Sequence, residues 1–154
     1  MNLYLVQHAE AKSEAEDAER SLSAKGLADI TNVAAWLNEH AGIEVRSILH
    51  SGKTRARQTA EILTEHLQPP EGANAAEDLN PKDDPSIWAR RLAQTLDDAM
   101  LVGHLPHLSR LASQLLCEDE NRTLVKFQLG GMVCLGRDEA KTWSVRWMLI
   151  PQLI

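Results

Sequence analysis

Apolar positions along this chain fall into short runs and helical stripes, and the two kinds of segment alternate. Asn2 to Val6 is almost continuously apolar, the pattern of a strand buried on both faces, and it ends at His8. Ala9 to Glu19 has only alanines as apolar positions, so it predicts a loop with some helical character. Ser23 is an N-cap for a helix whose apolar face is Leu27, Ile30, Val33, Ala34 and Leu37, stopped by Gly42. Val45 to Leu49 reads as a second buried strand. After Ser51-Gly52 a second helix carries Ala56, Thr59, Ala60, Leu63 and Leu67 up to Pro69-Pro70.

The stretch from Pro69 to Pro85 holds four prolines and predicts mostly loop, with a short strand near Ala73 to Ala76. Trp88, Leu92 and Leu96 predict a helix to about Asp98, and Ala99 to Val102 is another brief apolar run, ending at Gly103-His104. Pro106 opens a helix with Leu108, Leu111, Ala112 and Leu115 on one face. Gly131 to Leu135 and Trp143 to Leu149 predict an antiparallel pair at a sheet edge, joined by the polar Arg137 to Lys141 turn. Alternating strands and helices define a three-layer α/β/α sandwich with a mainly parallel sheet and an antiparallel edge strand.

Composition narrows the picture. With 154 residues, 44% hydrophobic and 25% charged, residues 1–154 are expected to form a single domain. Cys117 and Cys134 are too few and too far apart for a disulfide framework or a zinc knuckle, which points to a reducing compartment. The apolar run from Leu3 to Val6 is too short for a secretory leader, and charges interrupt every later apolar segment, so a cytoplasmic protein without membrane contact is expected. A net charge of -6 gives no footprint for nucleic acid. Any anion site must be assembled locally.

In parallel sheets the functional crevice lies beyond the carboxyl ends of the strands. Three places follow strands: Gln7-His8-Ala9-Glu10, Ser51 with Arg55 and Arg57, and Gly103-His104. Arginines beside free amides in a first helical turn suit phosphate, and adjacent histidines then point to phosphoryl transfer. Imidazole is largely unprotonated at neutral pH, so a histidine is a nucleophile without a partner base, and nearby guanidinium groups favour the neutral ring further. Arg55 and Arg57 cannot share a helix face, which leaves Arg57 on the surface. Ser51 is a candidate for either capping the helix or touching ligand. His40, His50, His66 and His107 are expected to be structural or exposed, and the four tryptophans to be core or interface residues.

These blocks, in this order, resemble the histidine phosphatase superfamily over nearly the whole chain. Leu5 to Ala11, Arg20-Ser21-Leu22-Ser23 with Gly26, Ser51 followed by Arg55-Ala-Arg-Gln-Thr-Ala, and Leu101 to Pro106 stand where that family has its signature segments. The resemblance implies a phosphoglycerate mutase-like fold with His8 as the phosphorylated nucleophile, Arg20 and Arg55 on the phosphate, and His104 completing the pocket. The chain's small size is similar to the SixA-type branch, which removes phosphate from histidine-containing phosphotransfer domains. That implies a phosphorylated protein as partner, no cofactor or metal, and a monomer or weak dimer.

Two positions depart from the family's Arg-His-Gly: Gln7 replaces arginine and Ala9 replaces glycine. A charge-assisted hydrogen bond contributes about 1.5–3 kcal/mol, so Gln7, itself a candidate phosphate contact, weakens anion binding, and Ala9 is expected to displace the loop slightly. No segment carries the family's usual acid, leaving Glu10, Asp17, Glu77 and Asp78 as candidates. An imidazole leaving group needs little acid assistance, which favours phosphohistidine over phosphoserine. The alternatives are a degenerate member that binds a phosphorylated ligand without turnover, and a phosphatase of small esters. Gly52-Lys53-Thr54 also hints at a nucleotide-binding loop, but Ser47 stands where that motif requires glycine. His104 and His107 lack the spacing and the carboxylate of a zinc hydrolase.

Overall fold

The computed structural model describes residues 1–154. In chain order the elements are β1 (Asn2–Gln7), α1 (Ala24–His40), β2 (Ile48–His50), α2 (Thr54–Leu67), β3 (Ala73–Ala75), α3 (Pro85–Gln94), β4 (Ala99–Gly103), α4 (His107–Cys117), β5 (Met132–Arg137) and β6 (Trp143–Leu149). A 3-10 turn, Pro151–Leu153, follows. One sheet runs in the order β3-β2-β4-β1-β5-β6. The first four of these are mutually parallel, and β5 and β6 complete the edge antiparallel.

Alternation along β1 builds both cores at once. Tyr4 and Val6 join Ile30, Val33, Leu37 and Leu63 on the face covered by α1 and α2. Leu3 and Leu5 join Trp88, Leu92, Leu108 and Leu111 on the face covered by α3 and α4. Burying each such leucine contributes about 1.5–3 kcal/mol, so this central strand anchors the three layers.

Several boundaries differ from those the sequence predicts. β2 begins only at Ile48, because Ile43 and Val45 tuck their side chains into the core from a loop without strand pairing. α3 stops at Gln94 and Leu96 is 86% exposed. Arg137 terminates that helix by donating to the Leu92 carbonyl at 2.6 Å and to the Thr95 carbonyl. Leu27 lies outside the buried face of α1, where Gly26 is buried instead. The Ser23 cap forms as expected, its hydroxyl accepting from the Gly26 amide at 3.0 Å. The segment from Ala9 to Glu19 is a loop closed by an antiparallel bridge between Ala11 and Leu22. No helix is long and apolar enough to cross a membrane.

Candidate active site

Sheet register brings the three strand ends level. Gln7 of β1 stands beside Gly103 of β4, and Val102 of β4 beside His50 of β2. The next residues on each chain are His8, His104 and Ser51. The His8 and His104 rings are 4.9 Å apart between centroids and tilted by 54°. Arg55, in the first turn of α2, donates from Nε to His8 Nε2 at 3.2 Å. Ser51 Oγ lies 2.6 Å from His104 Nε2, so its hydroxyl serves this cluster and does not cap α2, whose N-cap residue is Lys53.

The tautomer of His8 follows from its partners. The Ala9 carbonyl, 2.7 Å from Nδ1, can only accept, so Nδ1 carries the proton and Nε2 presents a lone pair to Arg55. Burial is the main cause that pushes the His8 pKa down to about 4, with the Arg55 and Arg20 charges adding to it against the Ala9 hydrogen bond. Burial likewise pushes His104 down to about 3, aided by His8 and Arg55. Both rings are neutral at pH 7.

An NMR titration of the His8 ring checks this directly. We expect no protonation down to pH 5 and a midpoint near 4; a midpoint near 6.5 would mean a solvated, unperturbed imidazole. The sign for stability follows. A folded-state pKa below the unfolded value near 6.5 makes a contribution that is complete above pH 6.5 and is lost as pH falls through 4.

Thr59 holds the pieces together. Its Oγ1 accepts from the Ala9 amide at 3.0 Å and donates to the Arg55 carbonyl at 2.7 Å, linking the loop after β1 to α2. Sequence reading placed Thr59 only on an apolar helix face; a buried hydroxyl one turn after Arg55 was the available signal. His50 is a second supporting residue. Its Nδ1 accepts from the Gly52 amide at 3.1 Å, which shapes the turn that carries Ser51, Gly52 and Lys53. Gly52 adopts φ +83° there.

The other candidates divide. Arg20, at φ 53°, donates from Nε to the Lys12 carbonyl at 3.2 Å and lines a hollow of about 450 Å³ with Arg55, Lys53, Thr54, Glu14 and Glu19. Gln7 is 9% exposed, and its Oε1 is buried without a partner. Ala9 is fully buried and has no left-handed backbone, so the position does not require glycine's conformational freedom. Glu10 is bound to Ser23 Oγ at 2.7 Å, on the entrance to α1. Asp17 accepts from the Ser21 hydroxyl and amide and from the Glu19 amide, and these bonds hold it below the usual carboxylate range. Asp78 is paired with Arg91 at 2.6 Å. Glu77 lines a second hollow of about 450 Å³ with Ser51, Asp78, Asn80 and Asp83. Arg57 is on the surface, paired with Glu61 at 3.0 Å. His107 is fully buried at the start of α4, as a structural histidine.

A depression of about 710 Å³ lies at the opposite end of the sheet between Val45, Leu67, Pro69 and Leu96. It contains no histidine.

Two neutral imidazoles facing each other, with a guanidinium on one of them, at the carboxyl ends of parallel strands, fit one class of protein, and a family model agrees. The histidine phosphatase superfamily (branch 1) matches residues 3–80, half of the chain, and the chain belongs to it. Its fold is the phosphoglycerate mutase-like one. The phosphohistidine phosphatase SixA of Escherichia coli (strain K12) is 24% identical over 98% of this chain and 94% of its own length. The structure of the protein histidine phosphatase SixA complexed with tungstate superposes with a TM-score of 0.85 at 22% identity, covering 99% of both chains. A putative alpha-ribazole-5'-P phosphatase from Escherichia coli K-12 superposes with a TM-score of 0.79 at 18% identity, covering 98% of both.

Proposed function

We propose that this protein is a phosphohistidine phosphatase that dephosphorylates a histidine-phosphorylated phosphotransfer domain through a phosphohistidine on His8. The observation that carries the reading is the His8 tautomer: Nδ1–H is committed to the Ala9 carbonyl, so the lone pair on Nε2 is free for phosphorus once Arg55 turns its guanidinium to the phosphoryl oxygens. His8 Nε2 attacks in line, the P–N bond of the substrate breaks, and its electron pair leaves with the substrate imidazole, which takes up a proton. The Ala9 carbonyl then stabilises the charge on the phosphorylated ring. Water attacks phosphorus in the second step, and His8 Nε2 departs with its electron pair. Arg55, Arg20 and the neutral His104 ring hold the equatorial oxygens as charge develops.

The acid question follows from the same geometry. Glu10 and Asp17 are both committed within the loop, so the first step uses a leaving group that needs little proton donation. An imidazole meets that requirement and an alkoxide does not. Glu77 and Asp83 border the hollow on the far side of Ser51, where the departing imidazolium is stabilised. We assign the protein to the cytoplasm, acting as a monomer or weak dimer without cofactor.

The test is a comparison of turnover on a phosphorylated phosphotransfer domain with turnover on a phosphoserine peptide. We expect the former to be faster by about two to four powers of ten, the usual share of general acid catalysis. Equal rates would favour a phosphatase of small esters, which the alpha-ribazole-5'-P phosphatase likeness keeps in view. Tight phosphate binding with no turnover of either substrate would favour a non-catalytic binder.

A further inference from the structure

Gln7 brings a neutral side chain to the end of β1, its Oε1 buried without a partner, so positive charge for an anion has to come from elsewhere. Arg55, which donates to His8 Nε2 at 3.2 Å, lines a hollow together with Arg20 and Lys53, and none of the three enters an ion pair. Lys53 is the N-cap residue of α2, with extended backbone and no side-chain cap of its own. Its carbonyl takes the Ala56 and Arg57 amides, both at 2.9 Å, while the Thr54 and Arg55 amides have no partner within the chain. Two open amides, a helix dipole and three cations therefore face one hollow. Glu14 and Glu19 line it too, with Glu19 held by the Thr54 hydroxyl at 3.1 Å, so the local formal balance is one positive charge.

We propose that Lys53 is a substrate-phosphate ligand of this site, supplying from the β2–α2 turn the positive charge that Gln7 does not. An ammonium is a suitable substitute, since it acts as a compact point charge on a flexible stem and needs no fixed bidentate geometry. Its field already reaches the reacting groups: after burial, His8 and Arg55, the Lys53 charge is the next cause holding the His104 ring neutral. The Gly52 amide donates to His50 Nδ1 at 3.1 Å, a bond that fixes the turn carrying Lys53.

This inference rests on the proposed phosphatase site but not on its substrate, so the probe is inorganic phosphate or vanadate, followed by isothermal titration. Lys53→Met keeps the length of the side chain and removes its charge; we expect the dissociation constant to rise about five- to tenfold, less at high salt. Gln7→Arg in the Lys53→Met background is expected to recover most of that loss, because both cations would serve the same oxygens. Arg57→Met, on the outer face of the same helix, should change affinity less than twofold. Unchanged phosphate affinity in Lys53→Met, with or without a shift in Tm, would show that Lys53 merely neighbours Glu19 and would overturn the inference, as would a wild-type protein that binds neither anion. Phosphate binding that depends on Lys53 in a protein without turnover on phosphohistidine would leave it standing while removing the proposed activity.

Discussion

Replacing His8 with alanine is expected to lower kcat/KM on a phosphorylated phosphotransfer domain by about 10⁴-fold or more, while leaving phosphate binding within about tenfold of wild type. The asymmetry follows from the geometry. In the proposed mechanism His8 Nε2, which faces Arg55, is the attacking atom, whereas phosphate is held jointly by Arg55, Arg20 and His104. Rapid quench should trap an acid-labile, base-stable label on the wild-type chain and none on the variant. A variant retaining a tenth of wild-type turnover would place the nucleophile elsewhere.

The second large effect concerns stability. Gly26→Ala is expected to destabilise the fold by about 3 kcal/mol and lower Tm by about 6–12 °C. Within a helix the same exchange normally stabilises by about 0.5–1 kcal/mol, so the sign itself is informative. A Cβ at Gly26 would overlap the Glu10 carbonyl oxygen outright and stand 2.9 Å from its carbon and 3.0 Å from its nitrogen. Backbone on both sides leaves no flexible side chain to yield. Glu10 and Ser23 are also joined twice, by the Ser23 amide to the Glu10 carbonyl at 2.9 Å and by their side chains at 2.7 Å. Forcing α1 away from Glu10 thus pulls on the loop two residues beyond His8, and activity should fall with stability. A rise in melting temperature, read by circular dichroism, would show that the close approach is not maintained in solution.

Much of the architecture was legible because hydrophobic periodicity is a direct record of burial. β1, α1 and the β5–β6 pair announce themselves through apolar runs or a helical stripe, and their observed limits lie within two residues of the expected ones. The late start of β2 and the early end of α3 were not legible. Ile43 and Val45 are as apolar as strand residues but pack from a loop, and the helix stop is made by Arg137, over forty residues away in sequence. The site shows the same division. His8, Arg55 and His104 follow from their places after strands, whereas Thr59 and His50 act through hydrogen bonds between elements that no linear pattern records. Glu10 and Asp17 looked available as acids only because their partners, Ser23 and Ser21, were ordinary polar residues in the sequence.

Ser51 lines one hollow with Glu77, Asp78 and Asp83, and its neighbour Gly52 lines the other with Arg20, Lys53 and Arg55, where Glu14 and Glu19 leave one positive charge in excess. A phosphorylated imidazole is itself polarised, anionic at phosphorus and cationic at the ring once protonated. For the phosphohistidine substrate proposed above, such a field would act as a compass, turning the incoming group end for end before any atom touches. An uncharged leaving group would feel only half of that torque.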